Sequence, residues 1–182
     1  QRQMCIRDRT YISTDSEEIA ESVSALFPEV TIISRPSELA TDQASTESVI
    51  AHWISVVDVD DCILVQATSP FLQSLDIRRA VQDYYASGMH CLLTVTRKHE
   101  FIWDQSGIPL NYDPKKRPRR QEWSGHLVEN GAMYIFLRDG FSLHQCRCWA
   151  PCTLFEMDER YSIEIDAPND LYIARCLLQH II

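Results

Sequence analysis

Cys62-Ile-Leu-Val-Gln-Ala-Thr-Ser-Pro70 runs through four residues with no strongly polar side chain, then an amide, then a small polar loop closed by proline. A short apolar run bounded by turn residues reads as a β-strand over 62–66, buried on both faces in the middle of a parallel sheet. Outward from it, short β-rich runs alternate with helical patterns. Upstream lie strands at 10–13 and 30–34 and helices at 16–26 and 46–57; Ile19, Val23 and Leu26 fall at helical spacing in the first helix, and Asp15 with Glu18 reads as its capping box. Downstream lie a helix at 76–86, strands at 91–96, 132–136 and 153–157, and a closing helix at 168–179. This alternation marks βαβ units, so the expected fold class is α/β, a doubly wound and mainly parallel sheet.

A polar, proline-containing excursion interrupts the alternation at 97–123, its most irregular part running from Phe101 to Trp123. No internal repeat or low-complexity linker appears, and one domain is expected over 10–182. Residues 1–9 have no Met at their head, no periodicity and no turn signal, and are set aside as a non-native or disordered leader.

With 182 residues, 45% of them hydrophobic and 24% charged, the chain has the composition of a soluble domain with a real core. No stretch approaches the ~20 apolar residues of a membrane span, and no secretion signal opens the chain, so an intracellular protein is expected. A net charge of -9 disfavours nucleic-acid partners. Lys115, Lys116, Arg117, Arg119 and Arg120 nevertheless gather in one run, which suits a small anion. The same run also reads as a solvated charge patch or a nuclear-import signal. Seven cysteines, an odd number, point to reduced thiols. His144, Cys146, Cys148 and Cys152 could face zinc, but paired Cys-x-x-Cys spacing is missing.

Ligands of open α/β sheets bind beyond the carboxyl ends of the strands. That rule selects Ser13-Thr14-Asp15, Arg35, the loop at 66–70, Arg97 and the acidic end Glu164-Ile-Asp166. Glu164 and Asp166, two apart in an extended segment, could share a divalent metal, or could be a strand edge followed by a helix cap. Gln66 closes an apolar strand with an amide that needs a partner. Neither a Walker-type loop nor a G-x-G-x-x-G turn is present.

Taken in order, Ile12-Ser-Thr-Asp15, Arg35-Pro-Ser-Glu-Leu-Ala-Thr-Asp42, Ala44-Ser-Thr46, Leu64-Val-Gln-Ala-Thr-Ser-Pro70, Lys116-Arg-Pro-Arg-Arg-Gln121, Glu129-Asn-Gly-Ala-Met-Tyr-Ile135 and Ile163-Glu-Ile-Asp166 resemble the CMP-N-acylneuraminate synthetases, nearest in wording to the animal type. The resemblance implies a Rossmann-like nucleotidyltransferase fold. It also implies attack of a sialic acid's anomeric hydroxyl on the α-phosphorus of CTP, with Mg2+ assistance and loss of pyrophosphate. By the same resemblance Arg35, Ala44 and Thr46 would contact cytidine, and Gln66, Arg119, Arg120 and Tyr134 would line the sugar pocket. Asp166 with Glu164 would hold the metal, and Arg119, Arg120 and Asp166 would carry the catalysis. The excursion would reach toward a second subunit, giving a homodimer in the cytoplasm or, through the basic run, the nucleus.

Two departures stand out. Glu164 occupies a position where the family usually has Asp. The family's opening strand and phosphate loop have no counterpart here, from which poor folding and little turnover are expected. A non-catalytic sugar-acid-binding protein, or a cytidylyltransferase for another acidic keto sugar (pseudaminic, legionaminic, KDO), are the alternative readings.

Overall fold

The computed structural model describes residues 9–181, with side chains through Gln179; the expected leader at 1–9 lies, but for Arg9, outside the described residues. Internal packing divides the chain into two units, residues 1–60 and 61–182.

In the first unit, β1 (Tyr11–Thr14) leads through α1 (Glu17–Leu26) to β2 (Thr31–Ser34), which pairs with β1 in parallel from Tyr11↔Thr31 to Thr14↔Ser34. The cap of α1 corrects the expected Asp15–Glu18 box. Ser16 is the N-cap, its hydroxyl accepting from the Ile19 amide at 3.3 Å, while Thr14 Oγ1 accepts from the Ser16 amide at 3.2 Å. A serine at this position reaches the amide of the third helical residue as well as an aspartate would. Helix α2 (Thr46–Val56) starts on Ser45, buries Ile50 and Ile54, and presents Trp53 edge-on to Tyr11 at 5.7 Å.

The second unit contains β3 (Asp61–Val65), α3 (Ser74–Ser87), β4 (Cys91–Lys98), β5 (His126–Leu137), α4 (Arg138–His144), β6 (Thr153–Met157) and α5 (Pro168–Ile181). The strands are ordered β3-β5-β4-β6. Strand β5 is antiparallel to both β3 and β4, and β6 is parallel to β4, so three of the four strands run one way with β5 set against them. The sequence did not announce the reversed strand, because Ala132–Phe136 is apolar on both faces whichever way it runs.

Strand β3 is also not central in this sheet. It lies at one end of the order, and Ile63 and Val65 remain about half exposed. The buried stretches are Cys91–Thr96 of β4 and Ala132–Phe136 of β5. Ala80 and Tyr84 of α3 pack against Leu92, Met133, Ile135, Phe155 and Met157 on one face; Phe136 meets Phe141 of α4 on the other. Tyr84 and Tyr85 both donate to the Asp61 carboxylate, at 2.9 and 3.0 Å, tying α3 to the start of β3. Among the described residues no helix is long and apolar enough to cross a membrane.

The β4–β5 ladder breaks once. Leu93 pairs with Tyr134, but Val95 pairs with Glu129, so residues 130–133 bulge out. The buried Thr94 hydroxyl fills the break, donating to the Met133 carbonyl at 3.1 Å and accepting from its amide at 3.0 Å. Asn130 closes the other side, donating to Thr96 Oγ1 at 3.2 Å and accepting from the Ala132 amide at 3.3 Å. Replacing Thr94 by Val keeps the shape and strands both Met133 groups, so urea denaturation should show a loss of about 1–3 kcal/mol. An unchanged midpoint would mean that the bulge does not depend on this hydroxyl.

Candidate active site

Because β3, β4 and β6 run the same way, the segments leaving their carboxyl ends share one rim of the sheet: the loop at 66–70, the excursion at 99–125 and the segment at 158–167. Convergent loops and free backbone groups make such a rim a binding place. At the end of β3 the Gln66 amide nitrogen donates to the Ala132 carbonyl at 3.1 Å, and its carbonyl accepts from Ser69 in a tight turn. The Gln66 side-chain amide takes no partner among the described residues. Ser69 Oγ, buried in the same loop, also has none.

The segment after β6 is tied to this loop. The Ile165 amide donates to the Thr68 carbonyl at 2.8 Å, and Thr68 Oγ1 donates to Glu164 Oε1 at 3.3 Å. Glu164 lies over Gly131 of the bulge, whose φ of +69° favours glycine. Asp166 is different. It is exposed, and the start of α5 is capped by Asp170, whose carboxylate accepts from the amides of Asp166 and Ala167 at 3.1 and 2.8 Å. The Asp166 carboxylate therefore does no capping, and it takes no hydrogen bond among the described residues. Residues 162–166 belong to no ladder, so the shared strand face expected for Glu164 and Asp166 has no sheet to impose it.

The excursion carries its own small aromatic core. Phe101 stacks on Trp123 at 4.8 Å and packs against Tyr112 at 4.2 Å, and the Arg117 guanidinium covers Phe101 at 4.1 Å. Sequence reading took the segment as merely polar because these rings are spread over more than twenty positions. The cluster walls a cavity of about 600 Å³ that also takes in His99, Trp103 and Arg120. Arg97 forks onto Glu156 with bonds of 2.8 and 2.6 Å, and Lys98 pairs with Glu159. These bonds hold both carboxyls below the usual range, the Arg120 charge adding a smaller pull on Glu159. Arg119 and Arg120 are exposed, and neither makes an ion pair or hydrogen bond through its side chain among the described residues.

Tyr134 lies elsewhere than the open pocket wall that its family role suggests. It is 1% exposed, donates to the Glu129 carboxylate, and has the Arg147 guanidinium 4.7 Å above its ring. Burial first, then the bond to Glu129, pushes its phenol up to about 12. Beside it Cys148 is pushed up to about 12, mainly by burial and then by Cys146, and Cys91 to about 11 by burial. These thiols stay protonated at neutral pH. Among the described residues no three or more His, Cys, Asp or Glu side chains are grouped to hold a metal, so the His144–Cys152 region supplies no zinc site of that kind.

In the first unit, Arg35 is engaged in structure. Its Nε donates to Ser13 Oγ at 3.2 Å, and a second guanidinium nitrogen donates to the Ser13 carbonyl, stitching the ends of β1 and β2. Ala44 closes a turn on Thr41, and Thr46 begins α2 behind the Ser45 cap. A cavity of about 470 Å³ lined by Tyr11, Ile33, His52 and Asp58 includes none of these three.

Sequence reasoning selected the loop at 66–70 without giving Thr68 a role of its own, and it gave Gly131 none. A lone glycine inside a strand pattern is itself a bulge signal, and Gly131 was that signal.

The cytidylyltransferase family pattern matches residues 2–159. The chain is 32% identical over 176 residues to N-acylneuraminate cytidylyltransferase of Oncorhynchus mykiss, covering 92% of this chain and 40% of the relative. It is 34% identical over 172 residues to N-acylneuraminate cytidylyltransferase A of Danio rerio (90% and 39%), and 32% over 185 residues to the Escherichia coli O18:K1:H7 enzyme of the same name (94% and 42%). The chain thus spans about two-fifths of the length of these curated relatives. Among solved structures it resembles CMP:2-keto-3-deoxy-manno-octonic acid synthetase complexed with CTP, at a TM-score of 0.65 and 17% identity over 96% of this chain and 82% of the other. It also resembles 4-diphosphocytidyl-2C-methyl-D-erythritol synthase of Anaerococcus prevotii, at 0.68 and 10% over 94% and 79%. At such identities the likeness is one of fold.

The raised phenol gives a test of the Tyr134 geometry. Its ordinary pKa is about 10, so the stability that Tyr134 carries is complete below about pH 10 and is lost as the pH rises toward 12. Urea midpoints measured across that window should fall more steeply for the parent than for Tyr134→Phe. Equal slopes would show that the phenol ionises freely in the folded protein.

Proposed function

We propose, from the premise that this chain belongs to the cytidylyltransferase family, that it carries much of the site that transfers CMP from CTP to a sugar acid of the N-acylneuraminate type. In that reaction the anomeric hydroxyl of the sugar bonds to the α-phosphorus, the bond from that phosphorus to the β-phosphate bridging oxygen breaks, and pyrophosphate leaves as the hydroxyl proton is lost. Little covalent work falls to the protein, and positioning with charge neutralisation does most of it. The observation that carries the reading is a set of uncommitted groups on segments leaving one rim: the Gln66 amide, the guanidinium groups of Arg119 and Arg120, and the Asp166 carboxylate. Their neighbours Arg97, Arg117 and Asp170 are already occupied within the fold.

Arg119 and Arg120 suit the sugar carboxylate, which a guanidinium fork can hold by two parallel bonds. Gln66 suits the sugar's hydroxyl or acylamino groups. Arg35, Ala44 and Thr46 are assigned to the cytidine on the family resemblance alone, and Tyr134 supports the sugar side from beneath, through Glu129 and Arg147.

Asp166 fits magnesium, which keeps most of its waters and commonly takes one or two carboxylates along with substrate phosphates. When bound, the ion would neutralise charge on the triphosphate. Glu164, seated on Thr68, is the weaker candidate ligand. Exposed Ile102, Trp103, Ile108 and Leu110 on the excursion support a homodimer formed through that segment. The basic run at 115–120 suits nuclear import as well as a cytoplasmic enzyme.

The test is pyrophosphate release by the protein carrying this sequence. Release should require CTP, N-acetylneuraminate and Mg2+ together. Arg120→Ala and Asp166→Asn should each lower kcat/KM by about 100-fold or more, with an unchanged circular dichroism spectrum. Unchanged kinetics in both variants, or no release with any acidic keto sugar, would refute the assignment.

A further inference from the structure

Glu164 is held from three sides. Thr68 Oγ1 donates to its carboxylate at 3.3 Å, the neighbouring Ile165 amide donates to the Thr68 carbonyl at 2.8 Å, and the carboxylate rests where residue 131 has no side chain. A Cβ on residue 131 would stand 2.9 Å from Oε1 and 3.1 Å from Oε2, so a side chain there would push the Glu164 carboxylate off this seat. The seat lies on the β5 bulge, between Asn130 and Ala132, whose groups bond to one another across the turn.

We infer that Glu164 is a positioning residue: it latches the segment bearing Asp166 onto the loop bearing Gln66, with Thr68 and Gly131 as the catch. The inference rests on the transfer reading above and deepens it by separating the two carboxylates. Glu164 spends its charge on the protein, and Asp166 faces the ligand. Fixing two ligand-bearing segments to one another before binding lowers the ordering cost of the complex. The length of the side chain matters. The Thr68 bond, at 3.3 Å, is near the limit of useful hydrogen-bond geometry, and Glu164→Asp withdraws the carboxylate by one C–C bond, about 1.5 Å.

Two readouts test the latch. Hydrogen exchange at the Ile165 amide, measured on the protein without ligands, reports the catch itself. Thr68→Val and Glu164→Asp should speed it about tenfold or more, and Thr68→Ser and Glu164→Gln, which keep the donor and the reach, should leave it near the parent rate. Mn2+ binding in the presence of CTP, followed by electron paramagnetic resonance, reports the consequence. Thr68→Val and Glu164→Asp should weaken it about tenfold, as loss of a group supporting a ligand does, while Glu164→Gln stays within about threefold and Asp166→Asn loses most of it. If Glu164 ligates the metal directly, the order inverts: Glu164→Gln binds as poorly as Asp166→Asn and Glu164→Asp is spared. That result overturns the inference, as does Ile165 exchange indifferent to Thr68→Val and Glu164→Asp. Failure of the unaltered protein to bind Mn2+ with CTP would instead remove the transfer reading on which the positioning role rests.

Discussion

Strand β5 must leave its partner β4 for four residues at the place where β3 ends, and the Thr94 hydroxyl is what makes that departure tolerable. A buried break in a ladder leaves backbone groups without partners, and each such group is costly away from water. One hydroxyl, acting as donor and acceptor to the same residue, satisfies Met133. Asn130 does the same for the far side of the bulge. The rim is assembled around this break: beside it the Ala132 carbonyl accepts from the Gln66 backbone amide, and Gly131 opens the seat that Glu164 takes.

From this constraint the division of labour among the charged groups follows. Charges needed to hold the rim together are paired and drawn toward the protein: Arg97 with Glu156, Lys98 with Glu159, Glu164 with Thr68. Exposed pairs of this kind add little stability, but they fix loops, and a fixed loop presents its remaining groups in one arrangement. The remaining groups are of opposite sign on different loops, guanidinium on the excursion and carboxylate after β6. That is the charge pattern suited to a nucleotide and a sugar acid lying side by side, with a cation on the acidic side.

Much of this was legible in the sequence. The alternating pattern gave every strand but β5 and most helices to within a residue or two, since period and turn residues are local properties; β6 at Thr153–Met157 matched its expected range, whereas β5 begins at His126, six residues before the expected 132. The family wording singled out Gln66, Arg119, Arg120 and Asp166. What stayed hidden was non-local. Nothing in Ala132–Phe136 encodes the direction of β5, and the apolar run Cys62–Val65 cannot reveal that its strand stands at one end of the four-stranded sheet. Helix α4 is only seven residues long and carries a glycine, too short for its period to register. Tyr134 was read from its place in a motif, whereas its surroundings are set by Glu129 across the bulge of the same strand and by Arg147 from beyond α4.

The central claim is that the sugar acid binds at the shared carboxyl rim of β3, β4 and β6. Titrating isotopically labelled protein with N-acetylneuraminate and following backbone amide shifts by NMR tests it directly. The account predicts perturbations centred on Gln66–Ser69, Arg119–Arg120 and Glu164–Asp166. Shifts confined to the cavity of Tyr11, His52 and Asp58, or spread without focus over the surface, would contradict it.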